Sequence, residues 1–60
     1  MTRFTFKHRG DWKAVVELLN DTSAYFTIPN DNEVIIYSRK WADTVENALI
    51  NVGIAYTVEG

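Results

Sequence analysis

The sequence predicts a small α+β domain whose elements run strand, helix, strand, strand, helix, strand. Three observations carry that expectation. Apolar residues recur at every second position in short segments and at helical spacing in two longer ones. Glycine, or a cluster of Asn, Asp, Ser and Pro, stands at most of the boundaries between them. And Val34-Ile35-Ile36-Tyr37 is apolar throughout, which suits a central strand paired on both sides rather than an open edge.

Phe4 and Phe6 alternate with Arg3, Thr5 and Lys7, the pattern of a strand with one buried face. His8 stands near its end, and Gly10 breaks it. Asp11 is then placed to cap a helix by accepting from first-turn N–H groups. Trp12, Val15, Val16 and Leu19 follow at i, i+3, i+4 and i+7, one apolar face of that helix. Asn20-Asp21-Thr22-Ser23 ends it. Ala24, Phe26 and Ile28 alternate with Tyr25 and Thr27 as a second strand. Pro29-Asn30-Asp31-Asn32 reads as a hairpin loop of about four residues, since proline presets φ and Asn and Asp bond to nearby backbone. After the third strand, Ser38 caps a second helix with an apolar stripe of Trp41, Val45, Ala48, Leu49 and Val52. Gly53 suits the left-handed residue after its last turn. Ile54, Tyr56 and Val58 alternate with Ala55, Thr57 and Glu59 as the last strand.

The order β-α-β-β-α-β is the ferredoxin-like split motif. Two right-handed crossovers give a four-stranded antiparallel sheet of order 4-1-3-2 with both helices on one face. The apolar third strand is then central. A faint internal echo agrees with two βαβ halves: Trp12 and Trp41 each open a helix, with Val16 and Val45 four residues on. The rival is an open sheet with another strand order.

Sixty residues make one domain, and a chain this short buries only about 60% of the surface its unfolded form exposes. Its eight aromatics supply much of the core. Cysteine is absent, which excludes a disulfide scaffold, a thiolate metal centre and a cysteine nucleophile. No apolar run is long enough to span a bilayer, and the first residues lack a signal-peptide hydrophobic region, so a cytoplasmic protein without a membrane partner is expected. The net charge of -2 divides into +3 over residues 1–13 and -5 over the rest. That balance disfavours a general nucleic-acid binder.

Chemistry-bearing residues are sparse. The one histidine, His8, has no nucleophile-elbow serine or other triad context to work with. Asp43 with Glu46, and Asp31 with Glu33, are acidic pairs, too few for a calcium loop. Glycine-rich phosphate loops are missing. Arg39 and Lys40 at the start of the second helix could hold an anion, but read as ordinary surface charge. No catalytic residue, metal or cofactor is therefore expected, and the domain reads as a non-enzyme.

The surface that looks used is the sheet face opposite the helices. Phe4, Phe6, Phe26, Ile28, Val34, Ile36, Ile54, Tyr56 and Val58 are expected to point inward. Arg3, Thr5, Lys7, Tyr25, Ile35 and Tyr37 then form an outward contact face, with Tyr37 its chief anchor. A one-residue slip of the third strand would expose Val34 and Ile36 instead. The expected partner is another protein, held by this face or by an exposed edge strand, with the domain acting as an inhibitor or adaptor. Its size and fold suit the small proteins by which phages and other mobile elements block host proteins. Self-association is a further expectation. The alternatives are an RNA-binding sheet module, against which the acidic charge and the single aromatic on Glu33-Val34-Ile35-Ile36-Tyr37 both weigh, and a ligand-sensing regulatory dimer.

Overall fold

In a computed structural model describing residues 1–60, β1 (Thr2–Phe6) is followed by α1 (Arg9–Asn20), β2 (Phe26–Asn30), β3 (Glu33–Ile36), α2 (Arg39–Val52) and β4 (Tyr56–Glu59). The strands form one antiparallel sheet in the order β2-β3-β1-β4. This is the ferredoxin-like arrangement, and β3 is central as its composition requires. Phe4 pairs with Val34 on one side and Val58 on the other. Phe4, Phe6, Val34 and Ile36 share one face, where Val15 and Leu19 of α1 and Ala42, Val45 and Leu49 of α2 close over them as a single cluster. Each large side chain fully buried there contributes about 1.5–3 kcal/mol.

The first helix begins earlier than its glycine suggests. His8, not Asp11, is the N-cap: its backbone is extended, its side chain makes no cap hydrogen bond, and its carbonyl accepts from the N–H groups of Asp11 and Trp12. Gly10 is drawn into the first turn. The N–H groups ahead of Asp11 precede the helix's first hydrogen bond in any case, and Asp11 still favours the positive end of the helix dipole. The shift sets Trp12, whose indole Nε1 donates to the Glu33 carbonyl at 3.0 Å and pins α1 to the start of β3. At the other end Thr22 closes the helix, its hydroxyl donating to the Leu19 carbonyl at 2.8 Å.

The hairpin is also tighter than its sequence suggests. β2 starts at Phe26 rather than Ala24 and runs through Pro29 to Asn30, leaving only Asp31 and Asn32 as the turn. Thr27 pairs with Ile35 and Asn30 with Glu33, so β2 takes three steps where β3 takes two. The extra residue is a bulge, and Pro29 lies within it. An edge strand tolerates a proline there because one side of its ladder is unpaired.

The caps of α2 are as expected. Ser38 accepts from the Trp41 N–H, and Gly53 is left-handed at φ 83°. Ile54 N–H donates to the Leu49 carbonyl and Gly53 N–H to that of Ile50, which satisfies the last turn. The buried stripe needs correction: it is Ala42, Val45 and Leu49, whereas Ala48 and Val52 are exposed. Ala48 is rotated about 100° from Leu49 on a helix of 3.6 residues per turn, and Val52 falls in the last turn, after the stripe has ended. β4 begins at Tyr56, because Ile54 is still engaged in closing α2. Ile28 and Val58, expected inside, are 44% and 41% exposed, since both lie on edge strands at the margin of helix cover.

Tyr56 couples β4 to α2. Its hydroxyl donates to Glu46 Oε2 at 3.0 Å, and its ring lies 6.0 Å from that of Phe4. Burial, then the hydrogen bond to Glu46, then the carboxylate's charge raise its pKa above the ordinary 10.0. A phenol whose pKa is higher folded than unfolded contributes stability that is complete below pH 10 and is lost as pH rises through the folded value. Titration of phenolate absorbance should therefore show a late step, above the ordinary tyrosine value, that belongs to Tyr56. Tyr56→Phe should remove that late step and flatten the alkaline loss of stability.

Candidate protein-contact face

The open face is built by the alternation that builds the core. With Phe4, Val34 and Ile36 turned toward the helices, Arg3, Thr5, Glu33 and Ile35 turn away. Two rows cross the sheet. Thr27, Ile35, Arg3 and Glu59 make the first, and Glu33, Thr5 and Thr57 the second. Lys7 follows β1 at one end and is exposed. Tyr25 and Tyr37 stand at the other, where the Tyr37 N–H donates to the Tyr25 carbonyl and continues the pairing of β2 with β3.

The two tyrosines form the most prominent feature. Their rings lie 5.1 Å apart and are tilted 30° from parallel, close enough to favour the pair beyond the area it covers. Tyr25 is 70% exposed and Tyr37 41%. The Tyr37 hydroxyl lies 3.3 Å from Thr27 Oγ1, which holds the ring over β2. Ring orientation is thus set before any partner arrives.

Ile35 corrects the expectation of an exposed aliphatic there. It points away from the helices but is only 8% exposed, flanked by Thr27 and Arg3 on the strands either side. A central strand position is screened by its neighbours even without a covering layer. It therefore forms the floor of the face rather than a protruding contact.

Glu33 organises the remainder, and sequence reading gave it no such role. Its carboxylate accepts from Thr5 Oγ1 at 3.3 Å and from the Asn30 side-chain amide, and Arg3 Nε lies 3.7 Å away. The Arg3 contact is solvent-exposed and worth well under about 1 kcal/mol, so it orients Arg3 more than it stabilises the fold. The place of Glu33 opposite Thr5 is set by the pairing of β1 with β3, which alternation within a single strand does not specify.

The six residues are therefore neighbours in rows, though unequal. Tyr25, Tyr37 and Lys7 are open, Arg3 and Thr5 are engaged with Glu33, and Ile35 is covered. The other candidates lie elsewhere. His8 opens α1, Glu46 receives the Tyr56 hydroxyl, and Arg39 and Lys40 are exposed in the first turn of α2. No three His, Asp or Glu side chains come together in a way that could hold a metal ion. No helix is long and apolar enough to cross a membrane. No protein-family model, curated protein or solved structure matches the chain significantly.

Proposed function

We propose that this is a non-enzymatic protein-binding domain, an inhibitor or adaptor acting in the cytoplasm, that docks on another protein through its open sheet face. The observation that carries the proposal is the exposed, pre-oriented Tyr25–Tyr37 pair beside the covered floor of Ile35. Tyrosine offers large rigid contact area with a polar tip and is enriched among residues that dominate binding energy. The threonines around it keep the face soluble when free, and Lys7 at the far end gives it polarity, favouring a partner with an acidic margin.

An RNA-binding sheet fits these residues less well. Such modules stack bases on aromatics of the two central strands. Here the central outward residues are Arg3, Thr5, Glu33 and Ile35, and the tyrosines already stack on each other at the sheet's end. The two readings separate in one experiment. The tagged domain is used to capture material from a cell lysate with and without nuclease. Protein retained in both samples, and lost with Tyr37→Ala, is the expected result. Retention abolished by nuclease would transfer the face to RNA.

A further inference from the structure

The two edges of the sheet are not alike. β2 is blunted by Pro29, which has no N–H to offer, and by its bulge. β4 has neither. Its residues Tyr56–Glu59 pair with β1 in four consecutive positions without a shift, and the other side of the strand is free. A regular edge of this kind is a template for another strand.

We propose that β4 pairs antiparallel with β4 of a second copy of this chain, joining two four-stranded sheets into one of eight. The strand's own sequence argues for that occupant. In a two-fold antiparallel pair, directly opposed residues must lie on the same face of the joined sheet. The symmetric register must then be centred on a residue, not between two. Centring on Thr57 uses the whole strand, setting Thr57 against the partner's Thr57 and Tyr56 against the partner's Val58. On the helix side, Val58, 41% exposed in the single chain, is then covered by the partner's Tyr56.

The charges agree on the opposite face. The same register sets Glu59 against the partner's Ala55. Continuing the pairing of Phe6 with Tyr56 by one step brings Lys7 beside Ala55. There Thr5, Lys7, Ala55 and Thr57 help line a shallow depression of about 260 Å³. Each depression thus receives the other copy's Glu59 across a small alanine, next to Lys7. The Cα atoms of Lys7 and the partner's Glu59 are two strand spacings apart, roughly 10 Å, within reach of the two side chains. The symmetry makes this contact twice. Centring on Val58 instead sets Tyr56 against the partner's Gly60, which has no side chain to cover it, and sets Glu59 against threonine. The contact is small, so the dimer is weak and concentration-dependent.

The test is sedimentation equilibrium of the full chain from about 10 µM to 1 mM, a range chosen for a weak interface. The wild type should pass from the 6.9 kDa monomer to a species of twice that mass. Lys7→Glu and Glu59→Lys each turn both attractive contacts into repulsions, and each should raise the dimer Kd about tenfold or more. Both positions are exposed, and circular dichroism should show both variants folded. Mixing the two variants is decisive. In the mixed dimer one contact is native and the other is charge-swapped, so both attract and dimerisation should return. A wild type that stays monomeric throughout overturns the proposal. So does unchanged dimerisation of either variant, or a mixture no better than its components. A dimer abolished by Tyr37→Ala would assign self-association to the open face and overturn it as well.

Discussion

Phe4→Ala should remove most of the domain's stability at 25 °C. Phe4 is fully buried on a central strand, between Val34 and Val58, with the Tyr56 ring 6.0 Å away. Truncating a buried phenylalanine costs about 3–5 kcal/mol, combining lost transfer energy with the cavity left behind. A 60-residue domain has roughly 3–9 kcal/mol in total. Only ten residues are buried, so few neighbours can move in to fill the gap. Urea denaturation followed by circular dichroism should show the midpoint falling by more than half. Val58→Ala, which removes a partly exposed edge residue, should cost under about 1 kcal/mol by the same buried-area reasoning. Near-equal effects of the two would mean that the core is not where Phe4 places it.

Tyr37→Ala should act the other way, sparing the fold and removing the partner. The side chain belongs to no part of the core cluster, and its backbone pairing with Tyr25 survives truncation. What is lost is the tilted ring pair and the hydroxyl beside Thr27. Tyr25 would then stand alone, free to rotate. An aromatic anchor is worth about 2 kcal/mol or more in binding, or roughly a 30-fold rise in Kd at 25 °C. Isothermal titration with the captured partner should show that loss with little change in melting temperature. Tyr37→Phe separates ring from hydroxyl. It should keep most of the affinity, because the stack depends on the ring.

Much of this architecture is legible from residue spacing. Apolar alternation at Phe4 and Phe6, the helical spacing of Trp12, Val15 and Leu19, and the uniformly apolar Val34-Ile35-Ile36 each constrain one element. Together they require a strand order with β3 inside. Ser38 and Gly53 mark α2 because their roles follow from local chemistry alone. Local chemistry misleads where tertiary contacts decide. Asp11 is a better N-cap than His8 by propensity, but the helix starts early enough for Trp12 to reach the Glu33 carbonyl. Pro29 looks like a turn residue, yet an edge strand with a bulge accommodates it.

The candidate face is legible to the extent that alternation is. Arg3, Thr5, Lys7, Tyr25, Ile35 and Tyr37 can be assigned to one side from period two, provided β3 does not slip, and the register with β1 shows that it does not. Pairwise relations are not legible in this way. That Tyr25 stacks on Tyr37, that Glu33 gathers Thr5, Asn30 and Arg3, and that Ile35 is screened all depend on which residues stand opposite each other. A bulge of one residue alters those relations without altering the hydrophobic pattern.

Site-specific photo-cross-linking tests the contact face most directly. A photoreactive phenylalanine would be placed at Thr27, exposed on the open face, or at Ala48, exposed on α2. Each protein would be irradiated in nuclease-treated lysate. An adduct with one protein from position 27 and none from position 48 is the expected result. Adducts from position 48 alone, or equally from both, would contradict a partner seated on the open sheet.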